Sequence, residues 1–201
     1  MERIQHWTGN AMRPAALSVI CIALVASCGP RKAALVTYHD VNMDFGVLNT
    51  VAVMPFTNLT AEQRAGGRVR DMFMTVLQAT GAVYVLPPGE IGRGISRVSI
   101  RSPEQPTPEE VVALAANVGA DAIITGTVLE YGAVRSGTSS ANIISISVEM
   151  MEAQTGKIVW SEAATNGGVT ASDRLFGGGG RPMNGVTEAA IKELMDSLFS
   201  N

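Results

Sequence analysis

Cys28 has the most pointed chemical setting in this 201-residue chain, a thiol led in by Leu24-Val25-Ala26-Ser27 and followed by Gly29. The remaining inventory is thin. Histidine occurs twice, at His6 and His39, and cysteine only once more, at Cys21. No His/Cys set has metal-ligand spacing, so no metal site is expected. A Ser-His-Asp triad would have to recruit His39, and the acids are scattered without a paired-carboxylate motif. No catalytic residue, cofactor or small-molecule substrate is expected, and the chain reads as a non-enzyme.

A second stretch with chemical potential is Asp173-Arg174-Leu175-Phe176-Gly177-Gly178-Gly179-Gly180-Arg181-Pro182-Met183-Asn184. Glycine backbone N–H groups, Arg174, Arg181 and the helix start that follows could hold a phosphate. The Lys-Ser/Thr of a P-loop is missing, however. Leu175 and Phe176 give two other readings. They are the apolar anchors of a contact loop, or they tuck into their own core beneath a plain surface connection. Arg64, Arg68 and Arg70 pose a similar choice between a solvated helix face and a seat for an anionic polymer. Trp160 reads as a core or half-buried sheet residue.

The apolar run 15–27 is about as long as a signal-peptide h-region and too short to span a bilayer. With Cys28 at its end it resembles the lipobox of bacterial lipoproteins. That resemblance implies that residues 1–27 are removed and that Cys28 becomes the lipidated first residue. Two or more acyl chains anchor stably where one binds only marginally. Gly29 stands where an aspartate would mark inner-membrane retention, so the resemblance points to the outer membrane, with the domain facing the periplasm. An ordinary cleaved signal with a chance cysteine is the alternative. Translation from Met12 rather than Met1 would give a tidier signal and the same mature chain.

Loss of Arg3, Arg13 and Glu2 with the leader leaves 13 bases against 17 acids, a net charge of −4. No basic block remains, so nucleic acid is not an expected partner. Cys21 leaves with the leader, and an exported domain without a disulfide depends on its core alone.

The elements that would position these groups follow from periodicity. Residues 28–47 read as a lipidated N-terminus, tether and arm, in which Tyr38 and Phe45 are candidate contact residues for the chain's own domain or a neighbouring subunit. Residues 48–201 read as one domain. An apolar run at 50–56 is a buried strand. Asn58-Leu59-Thr60 offers a cap for a helix at 61–79, which buries Val69, Phe73, Val76 and Leu77 and turns Arg64, Arg68 and Asp71 outward. Gly66-Gly67 suggests a close backbone approach, and Gly81 a helix end. A strand at 82–86 and a short helix at 90–100 come next. Thr107-Pro108-Glu109-Glu110 is a capped start for a helix to Val118. Strands are expected at 122–131, 142–152 and 157–165, with a tight turn at 153–156 and a small polar hairpin loop at 132–141. A final helix from Asn184 buries Ile191, Leu194, Met195 and Leu198. The order β-α-β-α-α-β-β-β-α makes an α/β (α+β) fold, a mixed sheet of about five strands with about four helices packed against it.

Three stretches recur in one superfamily: Val51-Ala52-Val53-Met54-Pro55-Phe56-Thr57-Asn58-Leu59, Gly119-Ala120-Asp121-Ala122-Ile123-Ile124-Thr125-Gly126-Thr127-Val128 and Glu152-Ala153-Gln154-Thr155-Gly156-Lys157-Ile158-Val159-Trp160-Ser161. In this order behind a lipobox, they resemble the group holding CsgG, PelC, LpoB and the amino-terminal domain of TolB. The resemblance covers about residues 49–199. It implies a non-catalytic accessory scaffold in secretion or envelope biogenesis, a homo-oligomeric ring being one form. The alternative is a monomeric lipoprotein that binds and activates a peptidoglycan or polysaccharide enzyme. The partners implied are the membrane, through the lipid on Cys28, and a second copy or another envelope protein. A membrane pore is not expected, because 166–183 lacks the alternating segments of barrel strands.

Overall fold

A computed structural model describes residues 37–137, 139–169 and 180–199 of the chain. Residues 1–27, Cys28, Arg174, Leu175, Phe176 and Gly177 to Gly179 lie outside the described residues.

The apolar run at 50–56 becomes β2 (Thr50–Val53) and then, beyond Pro55, a short β3 (Thr57–Asn58). β2 lies parallel to β4 (Tyr84–Val85) on one side and to β5 (Ala122–Ser136) on the other. β5, β6 (Ser139–Glu152) and β7 (Ile158–Gly167) form an antiparallel meander. β1 (Thr37–His39) closes the far edge against β7. The seven-stranded sheet therefore runs β1-β7-β6-β5-β2-β4, with β3 alongside β5. Five strands are expected from periodicity. The two extra ones, β1 and β3, hold three and two residues, too few for an alternation to show.

Among the described residues, four helices pack on the sheet. α1 (Ala65–Thr80) begins later than position 61, because Asn58 organises a turn instead of capping the helix. Its Oδ1 accepts from the Thr60 N–H at 3.0 Å and its Nδ2 donates to the Glu62 carbonyl at 2.8 Å, a local side-chain competition with helix. A Cβ on Gly66 would stand 2.9 Å from the Phe56 carbonyl, so the expected close approach is real there; at Gly67 the space is open. α2 (Pro88–Val98) ends on Ser99 in the left-handed region. α3 (Pro108–Val118) carries the expected reciprocal cap. Thr107 Oγ1 accepts from the Glu110 N–H, and Glu110 Oε2 accepts from the Thr107 N–H. α4 (Met183–Phe199) closes the chain.

Alternation sorts the sheet into two faces. Val53, Ile124, Ile144, Ile146, Val148 and Trp160 pack with Phe73 and Leu77 of α1 and with Ile191 and Leu194 of α4. Ala52, Met54 and Ile123 pack with Ile91 of α2 and with Val111 and Leu114 of α3. The polar stretch 132–141 is not a loop. β5 and β6 stay paired out to Arg135↔Ser140 and Ser136↔Ser139, so the hairpin is a ladder almost to its tip. Two adjacent strands satisfy each other's inner backbone groups whatever their side chains, which is why polarity misleads there.

Candidate functional site

Of the three motifs that carry the family resemblance, the first meets the second, and the second pairs with the third at Ala122↔Glu152. A Cβ on Gly126 would stand 2.8 Å from the Phe56 ring, so the second motif leaves the space that the first fills. Gly156 sits at φ +67°, with the Pro108 carbonyl where a Cβ would clash with it; the turn before β7 thus lies against the start of α3. The Asp121 carboxylate accepts from the Asn49 and Thr50 N–H groups, both at 2.9 Å, and so ties the start of β2 to β5. These residues determine the fold rather than form a site. Arg64 and Arg68 are exposed, as a solvated helix face requires. Arg70 turns inward instead. Its Nε donates to the Met54 carbonyl at 2.9 Å and its Nη2 to the Val53 carbonyl at 2.6 Å. Burial lowers its pKa. Arg70 is a tie for the end of β2.

Two surfaces are left without a partner among the described residues. The first is the sheet face opposite α1 and α4, beyond the reach of α2 and α3. One row runs Tyr38, Ser161, Glu149, Thr125 across β1, β7, β6 and β5, about 14 Å at ordinary strand spacing. The next holds Ala163, Ser147 and Thr127, and beyond it the Thr165 hydroxyl donates to Ser145 at 2.9 Å. A cleft of about 270 Å³ opens on this face between Glu149, Ser147, Thr127 and the Glu104-Gln105-Pro106 loop. The second surface is the outer edge of β5. β3 stops pairing at Val128, a bulge follows, and from Glu130 to Ser136 β5 is paired to β6 alone. Leu59, Leu129 and Val134 stand exposed near this edge.

Of the expected contact residues, Tyr38 is 49% exposed on the open face. Phe45 lies half-buried on the core of its own domain, edge-on to the His39 ring at a centroid separation of 5.6 Å. Arg181 donates from Nη2 to Asn166 Oδ1, and its carbonyl accepts from Asn142 Nδ2 at 2.8 Å, so it ties the start of α4 to β6 and β7. The arm thus packs on its own domain from Thr37 onward. No cluster of His, Cys, Asp and Glu able to hold a metal occurs among the described residues. No helix among them is long and apolar enough to cross a membrane.

A polar cluster that the sequence does not announce lies under β1. On β7, Trp160, Glu162 and Ala164 face the core, and Glu162 is only 1% exposed. Among the described residues, neither Glu162 oxygen has a well-formed hydrogen bond, nor do the buried His39 Nδ1 and Trp160 Nε1. Burial raises the Glu162 pKa. The Ser197 and Thr37 hydroxyls and the His39 ring act in the opposite sense without cancelling it. Those hydroxyls lie near enough to favour the charged form without reversing the effect of burial. The one sequence signal is the Trp160-Ser161-Glu162-Ala163-Ala164 alternation, which puts an acid in phase with core residues.

A mixed sheet with helices on both faces and two surfaces left uncovered among the described residues define a small α+β domain. The chain matches the GNA1162-like lipoprotein family over residues 47–200 and belongs to it. Among curated sequences, none matches. Among solved structures, a point-variant PelC dodecamer from Paraburkholderia phytofirmans is similar at 16% identity and TM-score 0.57, covering 85% of this chain and 100% of that one. A second PelC dodecamer from the same organism gives 17% and 0.56, with 82% and 95% covered. The lipoprotein GNA1162 from Neisseria meningitidis gives 16% and 0.54, with 76% and 99% covered. At these identities the likeness is one of fold.

Proposed function

We propose that the protein is a lipid-anchored scaffold of the bacterial envelope, held at the outer membrane through Cys28 with its domain in the periplasm. It works without catalysis, by self-association into a homo-oligomeric ring that assists secretion or envelope biogenesis. The observation that carries this reading is the edge of β5 from Glu130 to Ser136, bare among the described residues, since an unpaired strand edge is a template for another strand. Membership of a lipoprotein family supports the anchor, and the similarity to PelC, solved as a dodecamer, supports assembly. The wider kinship with CsgG, LpoB and TolB that the motifs imply belongs to the same reading.

The hydroxyl-lined open face favours a second reading, a monomer that binds and activates a peptidoglycan or polysaccharide enzyme, because transient interfaces are more polar than permanent ones. Native mass spectrometry of the lipidated protein in detergent separates the two. A discrete high-order oligomer is expected, reduced to smaller species by Ala133→Pro in the bare edge. A monomer at micromolar concentration overturns the ring and leaves the regulator.

A further inference from the structure

All four buried polar atoms that lack a hydrogen-bond partner among the described residues belong to three side chains at one place, His39, Trp160 and Glu162. In most folds such atoms are few and scattered, and each one costs free energy unless something else satisfies it. Here they sit at the joint where the chain enters the domain. β1 pairs with β7 at only three positions, Thr37↔Glu162, Tyr38↔Ser161 and His39↔Trp160, and one further bond runs from the Asp40 N–H to the Val159 carbonyl at 2.8 Å.

We infer that β1 is a proton-controlled latch, with Glu162 beneath it loosening the strand from β7 when ionised and letting it close when protonated. The groups that face Glu162 are Thr37 and His39 from β1, and Ser197 and Glu193 from α4. Val148 of β6 stands opposite it in register. None of these is a permanent cation, and the Glu193 charge acts against ionisation. Lys192, the one base of α4, is engaged with Glu188 at 2.6 Å on the exposed side of the helix. An ionised Glu162 therefore gains most by reaching water. β1 yields before α4 does, because three residues of edge strand hold far less buried surface than a seventeen-residue helix with seven buried side chains.

The direction with pH follows from proton linkage. With β1 closed, burial lifts the Glu162 pKa above its ordinary value, about 4.3; with β1 open it returns there. Between those two values the closed form holds more protons, so rising pH favours opening, by up to about tenfold per pH unit. Below that window the latch is closed, and above it the open fraction levels off. Acid therefore holds β1 against β7, and rising pH loosens it.

Trp160 reports on this directly. In the full chain carrying Trp7→Phe it is the sole tryptophan, and acrylamide reaches its indole only when β1 lifts. Quenching is expected to rise several-fold from pH 4 to pH 8, and in Glu162→Gln to stay low and flat across the range. Amide exchange over Ala122 to Thr127 serves as the control for global unfolding and is expected to change no more than intrinsic exchange does. Quenching that does not change with pH overturns the latch. So does an unchanged pH profile in Glu162→Gln, since another group then titrates, and so does core exchange that opens in parallel with Trp160. If Glu162→Gln fails to fold, Glu162→Met gives the same comparison with a charge-free side chain of similar length.

Discussion

Around Gly126 each tight or polar feature has a partner fixed in place: the Phe56 ring on Gly126, the Pro108 carbonyl against Gly156, two backbone N–H groups on Asp121, and two carbonyls on Arg70. Under β1, in the same sheet and a few strands away, a carboxylate, an imidazole nitrogen and an indole nitrogen are buried without a well-formed hydrogen bond among the described residues. The first region combines sequence-local signals with close packing, and an added Cβ at Gly126 or Gly156 would clash. The second is closed by a three-residue edge strand, so it can exchange buried polar groups for water at little cost in packing. One sheet thus holds a rigid half that defines the family fold and a half suited to change.

The contrast is tested most severely at Gly156. An alanine there takes a left-handed conformation, costing roughly 1–2 kcal/mol, and drives its Cβ into the backbone of Pro108, which adds a further 1–3 kcal/mol. Gly156→Ala is expected to lose about 3 kcal/mol in urea unfolding. A loss under about 1 kcal/mol would mean that the turn is free to shift and that the rigid half is not rigid.

Gly126→Ala comes next, at about 2 kcal/mol, since a new methyl meets a ring rather than backbone. The informative form is a double-mutant cycle. Phe56→Leu relieves the clash, so the pair is expected to cost less than the sum of the single changes by about 1 kcal/mol. Additive costs would separate the two motifs. Arg70→Met follows, at about 1–2 kcal/mol by thermal or urea unfolding, because it keeps the aliphatic stem and strands the Val53 and Met54 carbonyls. An unchanged midpoint would return Arg70 to the solvated helix face expected from its spacing.

The rigid half is also the half that can be read. Thr107-Pro108-Glu109-Glu110 names its helix start because capping is chemistry confined to four residues. Val69, Phe73 and Leu77 name their buried stripe because a sixteen-residue helix repeats it. The edges resist reading for the opposite reason. β1 and β3 are too short to repeat anything, and 132–141 looks like a loop although β5 and β6 satisfy each other there. At the candidate site, Tyr38 is legible as an exposed aromatic of the arm. Arg70 hides because its outward-looking spacing is overridden by the free carbonyls at the end of β2. Glu162 hides because alternation places a residue on a face without saying whether the residue suits it.

The smallest effect has the opposite sign and comes from the other half. Glu162→Gln keeps the shape of the side chain and removes a charge that burial disfavours. At pH 7 the variant is expected to be more stable than the parent by about 1 kcal/mol, the scale of a poorly satisfied buried group. In the folded chain the Glu162 pKa is raised, so the parent is most stable below the ordinary carboxylate value and loses stability as pH climbs toward the raised one. The gain from Glu162→Gln should therefore shrink to nothing near pH 4, where both side chains are neutral. Urea unfolding at the two pH values checks this. A variant less stable than the parent at pH 7 would show that the carboxylate is satisfied in the folded protein, and the two halves of the sheet would then follow one rule.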